Sequence, residues 1–210
     1  MRKVILTNGE YYHIYNRGTD KRVIFPEKDY LERFFESMGE FNTIEPIGSI
    51  YENSFRKKHF GNAVSRQRKL VNITCYCLNP NHYHFIIEQL VDRGIAKFMH
   101  RLGVGYTKYF NQRLDRSGVL FQGPFKAMHI DSNEYLLYVS AYVNLNDKVH
   151  RLRNGVSKSS YEEYVENKES FCKKNIVLNQ FKDVAEYKKF AEEALEIIRK
   201  RKDMEKLLIE

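Results

Sequence analysis

Two histidines separated by a single residue are the first candidates for chemistry in this 210-residue sequence. His82 and His84 open the string HYHFIIEQL (82–90), which predicts a β-strand. Alternate side chains of a strand point to the same face, about 7 Å apart. Two imidazoles at that separation can converge on one transition-metal ion. An H-x-H pair by itself is more often two polar histidines on a half-exposed strand.

A tyrosine and an asparagine four residues apart form a second candidate pair. Tyr142 and Asn146 lie in a predicted helix, 132–146, for which Asp131 is the expected N-cap. Side chains at i and i+4 share a helix face. Tyr142 is a possible nucleophile, and Asn146 can offer a carbonyl oxygen to a metal ion. Tyrosines also recur along this helix at positions 135 and 138, and such a stripe equally indicates core packing.

Two cysteines just before the histidines allow another interpretation. Cys75 and Cys77 could join them in a Cys/His zinc site, but their C-x-C spacing differs from the familiar C-x-x-C knuckle. Under strict alternation, Val71 and Ile73 share the face of the cysteines. That arrangement favours buried thiols in a core.

The elements that must position these residues follow the order strand, helix, hairpin, helix, strand, helix. Strands are predicted at 10–16, 70–78, 82–90 and 119–130, and helices at 26–44, 94–113, 132–146, 159–166 and 183–208, with an irregular insert at 45–69. The turn Asn79-Pro80-Asn81 should close an antiparallel hairpin. This order predicts an α+β, ferredoxin-like antiparallel sheet with helices on one face and a C-terminal helical extension. We place the domain at 1–165 and the extension at 166–210.

Positive charge is concentrated in one stretch of the chain. The net charge is +8, yet residues 56–130 hold 13 basic and 3 acidic side chains, whereas residues 1–55 hold 7 and 9. A focused positive field commonly faces a polyanion, although a solvated basic surface is the alternative. The basic residues that we expect to contact the phosphates of such a polyanion are Arg56, Lys57, Lys58, Arg66, Arg68, Lys69, Arg101, Lys108, Arg113, Arg116 and Lys126.

Composition excludes several classes of protein. The hydrophobic fraction of 42% supports a packed core, and no run of about 18 apolar residues predicts a membrane span. The N-terminus lacks the apolar stretch of a secretory signal. Three cysteines are too few for a disulfide scaffold, so a reducing, cytoplasmic setting is expected. P-loop, dinucleotide-binding and G-x-S-x-G motifs are missing from the sequence.

Three segments in order resemble the single-tyrosine transposases. The string CLNPNHYHFIIEQ (77–89) is similar to their histidine–hydrophobic–histidine signature, which usually reads L-P-N-H-x-H. Residues 106–147 resemble the family's Y-F-N segment, its G-x-L-[FW]-Q string and its Y-I-x-x-N-P ending, and YYHIYNRG (11–18) also fits. The resemblance covers about residues 10–165 and is greatest to the REP-associated branch.

The resemblance implies a ferredoxin-like fold and metal-dependent cleavage and rejoining of single-stranded DNA, with hairpin-forming sequences as the expected targets. His82, His84 and Asn146 would bind a divalent metal, Mg²⁺ or Mn²⁺, and Tyr142 would attack to give a 5′-phosphotyrosine intermediate. Asp147 departs from the family pattern, which has proline there. The DNA partner is implied; a homodimer and a monomer are both open.

Other functions remain open at this point. One is a relaxase-like or replication-initiator-like nickase with the same chemistry, and another is a catalytically inactive DNA-binding derivative. A third is the zinc-stabilised binding protein that would use the two cysteines. Tyr106 and Tyr109 are rival nucleophiles, but both lie on the apolar stripe of the 94–113 helix, which indicates core packing.

Overall fold

The computed structural model describes residues 4–60, 68–150, 155–166 and 171–207, with only the backbone at residues 56–60, 150 and 202–207. The strands within these ranges are β1 (Tyr11–Arg17), β2 (Val71–Asn79), β3 (His82–Gln89), β4 (Lys126–Ile130) and β5 (Lys158–Ser159). The α-helices are α1 (Lys28–Glu40), α2 (Ile50–Phe60), α3 (Gly94–Arg113), α4 (Asn133–Asn144), α5 (Asn146–His150), α6 (Tyr161–Val165), α7 (Asn175–Leu178) and α8 (Val184–Leu207). No helix in the described ranges is long and apolar enough to cross a membrane.

The strands form one antiparallel sheet in the order β4-β1-β3-β2-β5. β3 lies at its centre, where His84 pairs with Tyr15 of β1 on one side and with Cys77 of β2 on the other. The predicted α+β class, with its antiparallel sheet and C-terminal helix, is confirmed. The strand predicted at 119–130 is shorter, because β4 begins at Lys126 and the preceding segment touches the sheet through a single bridge at Phe121.

Helices cover both faces of this sheet. α1 and α3 pack on one face, where the rings of Phe34 and Tyr106 meet at a centroid distance of 4.9 Å. α4 and α8 cover the other face in a second core that contains Ile86 and Val139. The prediction of helices on one face is therefore corrected. β2 and β3 are buried along most of their length, and their central residues pack into both cores.

A β-bulge in β2 reverses the predicted facing of the cysteines. The register shifts between Ile73 and Cys75, so Thr74 is an extra residue without a paired partner on β3. Such a bulge breaks the strict alternation of side chains. Ile73 belongs to the core beneath α1 and α3, whereas Cys75 and Cys77 belong to the core beneath α4. The single shared face that strict alternation predicts for them is therefore wrong.

The insert predicted to be irregular contains helix α2. Its first turn is closed by a capping box, in which Glu52 N donates to Ser49 Oγ (3.1 Å) and Ser49 N donates to the Glu52 carboxylate (3.3 Å). Ile50 packs with Phe41 and Ile47 in a small third core. The S-x-x-E signal at 49–52 is present in the sequence, but the weak apolar periodicity after it hides the helix.

A buried polar network ties the end of α4 to the C-terminal extension. Asn144 Nδ2 donates to Tyr187 Oη (2.7 Å), and Asn144 Oδ1 accepts from Ser160 Oγ (2.6 Å). Ser160 Oγ also accepts from Tyr76 N of β2 (2.9 Å). Asn144, Ser160 and Tyr187 are all buried. The position of the last turn of α4 therefore depends on contacts made by α8 and by the segment before α6.

Removing the Tyr187 hydroxyl should destabilise the fold. Tyr187→Phe leaves the buried amide of Asn144 without its acceptor, which typically costs about 1–3 kcal/mol. We expect a decrease of that size in the free energy of unfolding in urea. Tyr51→Phe is the matched control because Tyr51 is 78% exposed, and it should leave stability unchanged. Equal stability of both variants would contradict the network.

Candidate active site

The candidate residues meet on the face of the sheet that α4 covers. His82 and His84 project from β3 on this face, at a ring-centroid distance of 5.2 Å. α4 crosses the same face and brings the Tyr142 ring to 5.5 Å from the His84 ring, nearly at right angles. The sequence-predicted histidines and tyrosine are thus neighbours. They come from elements about 60 residues apart in the chain.

The protonation of His82 is set by the residue before it. Its Nδ1 lies 2.6 Å from Asn81 Oδ1, an oxygen that can only accept, so Nδ1 carries the hydrogen. His82 Nε2 therefore keeps its lone pair. It lies 3.0 Å from Asn79 Nδ2, which donates to it, and 3.1 Å from Asn146 Oδ1. The turn Asn79-Pro80-Asn81 thus holds His82 from both sides.

Asn146 reaches the site from a different helix than predicted. α4 ends at Asn144, Leu145 is non-helical, and Asn146 begins α5. The predicted shared helix for Tyr142 and Asn146 is therefore wrong. The last helical hydrogen bond of α4 runs from Leu145 N to Ala141 O (3.0 Å), and the chain turns after it. The helix therefore ends here without a proline at position 147. Asn146 is fully buried, and its Oδ1 accepts from Asn79 Nδ2 (2.8 Å).

His84 is held by aromatic neighbours and by a third histidine. Its Nδ1 lies 2.8 Å from His13 Nε2 on β1, and the Tyr15 ring stacks on it at 5.6 Å. His13 is 7% exposed, and burial lowers the pKa of its imidazole to about 4. His13 is thus neutral near pH 7.

The Tyr142 phenol is neutral at physiological pH. Burial raises its pKa above the usual value of 10, while the Asn146 side chain acts in the opposite direction. Forming a phenolate at this place consequently needs additional positive charge nearby or a base.

The donor set of His82, His84 and Asn146 fits a divalent cation. His82 Nε2 and Asn146 Oδ1 lie 3.1 Å apart and both accept from Asn79 Nδ2, whose two hydrogen bonds a bound cation would replace. Adjacent ligands in an octahedral shell with bonds near 2.1 Å are about 3.0 Å apart. The buried Asn146 Nδ2 has no hydrogen-bond partner among the described residues, as expected if the orientation of this amide serves its oxygen. These three side chains could therefore hold Mg²⁺ or Mn²⁺.

A cleft of about 530 Å³ opens beside these residues. Its lining is polar and basic and comes mainly from β1, the β2–β3 turn and the segment before β4: Tyr15, Asn16, Arg17, Lys21, Asn81, His82, His84, Gln122, Lys126 and Tyr142. Arg17 donates to Gln122 across the cleft. Sequence reasoning missed Arg17, Lys21 and His13. Alternation along β1 was the available signal, because residues 13, 15 and 17 share one face.

The predicted phosphate-binding residues are only partly gathered at this cleft. Lys126 lines it, with its ammonium 5.9 Å from the Tyr15 ring. Arg101 instead donates to the carbonyls of Thr43 and Ile44 and supports the fold. The remaining predicted residues stand elsewhere: Arg113 pairs with Asp29, Arg116 contacts Asn111 and the Phe110 ring, Lys108 lines a separate apolar pocket of about 810 Å³, and Arg68 and Lys69 are exposed.

Four predicted DNA-binding side chains lie outside the described part of the chain. Arg66 is itself outside the described residues. Arg56, Lys57 and Lys58 belong to α2, where only the backbone is described at these positions. Their contribution to DNA binding stays a prediction.

Comparison with known families assigns the segment that contains this site. A family model described as "Transposase IS200 like" matches residues 50–146. This segment belongs to the IS200-like transposases. The matched residues include both histidines of β3, Tyr142 and Asn146. The match supports an enzyme that cleaves and transfers DNA.

One solved structure and the curated proteins complete the comparison. The chain is similar in structure to a REP-associated tyrosine transposase bound to a REP hairpin, with a TM-score of 0.49 and 9% identity over 81% of this chain and 88% of that one. No curated protein matches the sequence.

The rival tyrosines of the IS200-like segment pack in the fold. Tyr106 is fully buried, and its Oη donates to Ile24 O (2.6 Å). Tyr109 lies edge-on to Tyr30, with the Arg33 guanidinium 5.2 Å above its ring. Both belong to the core beneath α1 and α3, on the sheet face opposite the histidines. The core role predicted for them is consistent with this packing.

The cysteines are poor candidates for zinc ligands. Cys77 pairs with His84 on the neighbouring strand, but both Cys75 and Cys77 are fully buried. Burial raises the pKa of each thiol, which opposes the thiolate that zinc requires. Among the residues that the structure describes, no three His, Cys, Asp or Glu side chains cluster as a metal site.

Thiol chemistry tests the zinc alternative directly. All three cysteines are buried, so we expect less than one thiol per native protein to react with Ellman's reagent. After unfolding, all three thiols should react. Cys75→Ser should leave metal affinity unchanged, whereas His82→Ala should remove it. Stoichiometric zinc that disappears in Cys75→Ser would contradict the assignment.

Proposed function

We propose that this chain is a metal-dependent transposase that cleaves and rejoins single-stranded DNA through a 5′-phosphotyrosine intermediate. The observation that supports this best is the convergence of Tyr142, His84, His82 and Asn146 beside one basic cleft. All four fall within the IS200-like segment. Asp147 removes none of them, since Asn146 is retained and α4 ends without proline.

The three donors would hold the divalent ion at the sheet end of the cleft. When bound, the ion supplies positive charge that polarises the scissile phosphate and favours ionisation of a nearby phenol. The chain's own residues do the rest of the positioning. Asn81 holds His82 through Nδ1, the His13 and Tyr15 rings hold His84, and the buried Asn146 is fixed at the start of α5.

Tyr142 would be the attacking group. Its phenol oxygen bonds to the scissile phosphorus, the bond from phosphorus to the 3′ oxygen breaks, and the phenol proton passes to water or a nearby base. The departing 3′ oxygen takes up a proton and leaves a 3′-OH. The phosphotyrosine keeps the energy of a phosphodiester, so attack by another 3′-OH rejoins DNA and regenerates the phenol without ATP.

The shape and charge of the cleft favour a single strand. A volume of about 530 Å³ is enough for a short stretch of one nucleic-acid backbone. Arg17, Lys21 and Lys126 place three cations around it. The resemblance of residues 10–165 to REP-associated transposases extends the proposal to hairpin-forming targets.

Loss of the Tyr142 hydroxyl should abolish cleavage. We expect Tyr142→Phe to lower the rate of covalent adduct formation at least ~10³-fold, because the substitution removes the attacking oxygen. The measurement uses Mn²⁺ and end-labelled hairpin oligonucleotides from DNA beside the gene, with adducts resolved on denaturing gels. Tyr109→Phe, which removes a hydroxyl in the opposite core, should retain activity.

Two further outcomes are informative. An adduct that survives Tyr142→Phe would contradict the assigned nucleophile. DNA binding should persist in this variant, because the phenol hydroxyl contributes little to affinity for phosphates. Adding a strand with a free 3′-OH should convert the wild-type adduct into a joined product; release of nicked DNA alone would favour the relaxase-like alternative.

The cleft cations should set the salt dependence of DNA binding. Replacing Arg17, Lys21 and Lys126 by glutamine should reduce the slope of log affinity against log salt by about 2, because each phosphate neutralised on a single strand contributes roughly 0.7 to that slope. The control replaces the exposed Lys97, Lys182 and Lys189, which carry the same total charge outside the cleft lining. Equal slopes for both triple variants would show that DNA does not use this cleft.

A further inference from the structure

A buried histidine that takes no direct part in the proposed reaction stands beside one of its metal ligands. His13 on β1 is paired with Ile86, two residues from His84 on β3, so the two histidines are diagonal neighbours across the strand pair. Both are 7% exposed. The His13 ring is further enclosed by Tyr15 at 5.1 Å and by Tyr142 at 6.0 Å. Its orientation is therefore fixed by packing.

The two imidazoles share a single hydrogen bond, so one of the two facing nitrogens donates and the other accepts. His13 Nε2 and His84 Nδ1 are 2.8 Å apart, and each nitrogen can either donate or accept. If His13 donates, the hydrogen of neutral His84 lies on Nε2, which then has no lone pair to offer. If His84 donates, its Nε2 is the nitrogen that can bind a cation. The direction of this one hydrogen bond thus decides whether His84 can be a ligand.

We propose that His13 is a positioning residue that accepts the Nδ1 hydrogen of His84 and so presents His84 Nε2 to the divalent cation. This inference rests on the proposed function, because it assumes that His84 is a metal ligand. Metal-binding histidines commonly donate their second ring hydrogen to a neighbouring acceptor, which fixes the tautomer and the ring orientation.

The two proposed histidine ligands differ in how they are held. Asn81 Oδ1 can only accept from His82, so that tautomer is fixed by the partner's chemistry. His13 can accept or donate, so the tautomer of His84 depends on the state of its partner. His84 is therefore the ligand whose competence a single substitution on another strand should change.

A pair of amide variants tests His13 without replacing it by an apolar residue. The glutamine amide of His13→Gln extends to about the position of Nε2 and can still accept from His84. The asparagine amide of His13→Asn is one methylene shorter and cannot reach it. We expect His13→Asn to weaken Mn²⁺ binding about 10–100-fold in calorimetry, and His13→Gln to stay within about 3-fold of the wild type.

A spectroscopic readout separates positioning from a merely structural role. In metal-free protein, ¹⁵N shifts of the His84 ring should report the Nδ1–H tautomer in the wild type and in His13→Gln, and a shift toward Nε2–H in His13→Asn. An Nε2–H tautomer of His84 in the wild type would overturn the proposal even if no variant folds. Unchanged Mn²⁺ affinity in a folded His13→Asn would overturn it as well.

The same titrations distinguish failure of the inference from failure of the proposed function. Wild-type protein that binds no Mn²⁺, or that binds it unchanged after His82→Ala, would reject the metal site and the role of His13 with it. Mn²⁺ binding that His82→Ala abolishes and His13→Asn leaves intact would reject the role of His13 alone. His129→Asn is the control, since His129 is exposed on β4 and contacts Glu10.

Discussion

The burial of β3 on both faces is the constraint on which the rest of the structure depends. Tyr83, Phe85 and Ile87 point into the core beneath α1 and α3, and Ile86 points into the core beneath α4. Two helical layers are therefore needed, and α4 is the element that covers the second face. His82 and His84 lie on the same face of β3 as Ile86, nearer the start of the strand, and they line the cleft. Packing of α4 on this face of the sheet therefore places Tyr142 beside the two histidines.

Much of the fold could be predicted from local patterns. The period-2 strings around the Asn79-Pro80-Asn81 turn and the 3.6-residue periodicity of 94–113 identified the hairpin and α3, and α3 has the predicted bounds. The bulge at Thr74 could not be predicted, because one extra residue leaves composition and hydrophobicity unchanged. The sequence analysis placed helices on one face of the sheet only. It did not recognise that the nearly continuous apolar strings of β2 and β3 indicate strands buried on both faces. Register between distant segments has no signature in a single sequence.

The site was predictable to a different degree. The spacing of His82 and His84 gave their common face, and the family resemblance supplied Tyr142 and Asn146 as their companions. The prediction that Asn146 shares a helix with Tyr142 was wrong, because α4 ends before Leu145. The position of the Asn146 amide therefore depends on the turn at Leu145 and not on the periodicity of α4. Arg17 and Lys21 were hidden by the charge analysis. They belong to a segment with a net negative balance, and a sum along the chain does not report which cations come together in space.

The network around Asn144 has a consequence for the order in which the site becomes complete. During synthesis, the chain extends from the N-terminus, and domains tend to form as their segments emerge. When residue 165 has emerged, every side chain assigned to cleavage is present, but the hydroxyl of Tyr187 that receives the Asn144 amide is still to come. The last turn of α4 therefore gains this hydrogen bond only after α8 has docked. A polypeptide that ends before α8 would carry the whole sequence motif but would lack the hydrogen bond from Asn144 to Tyr187 that supports the end of α4.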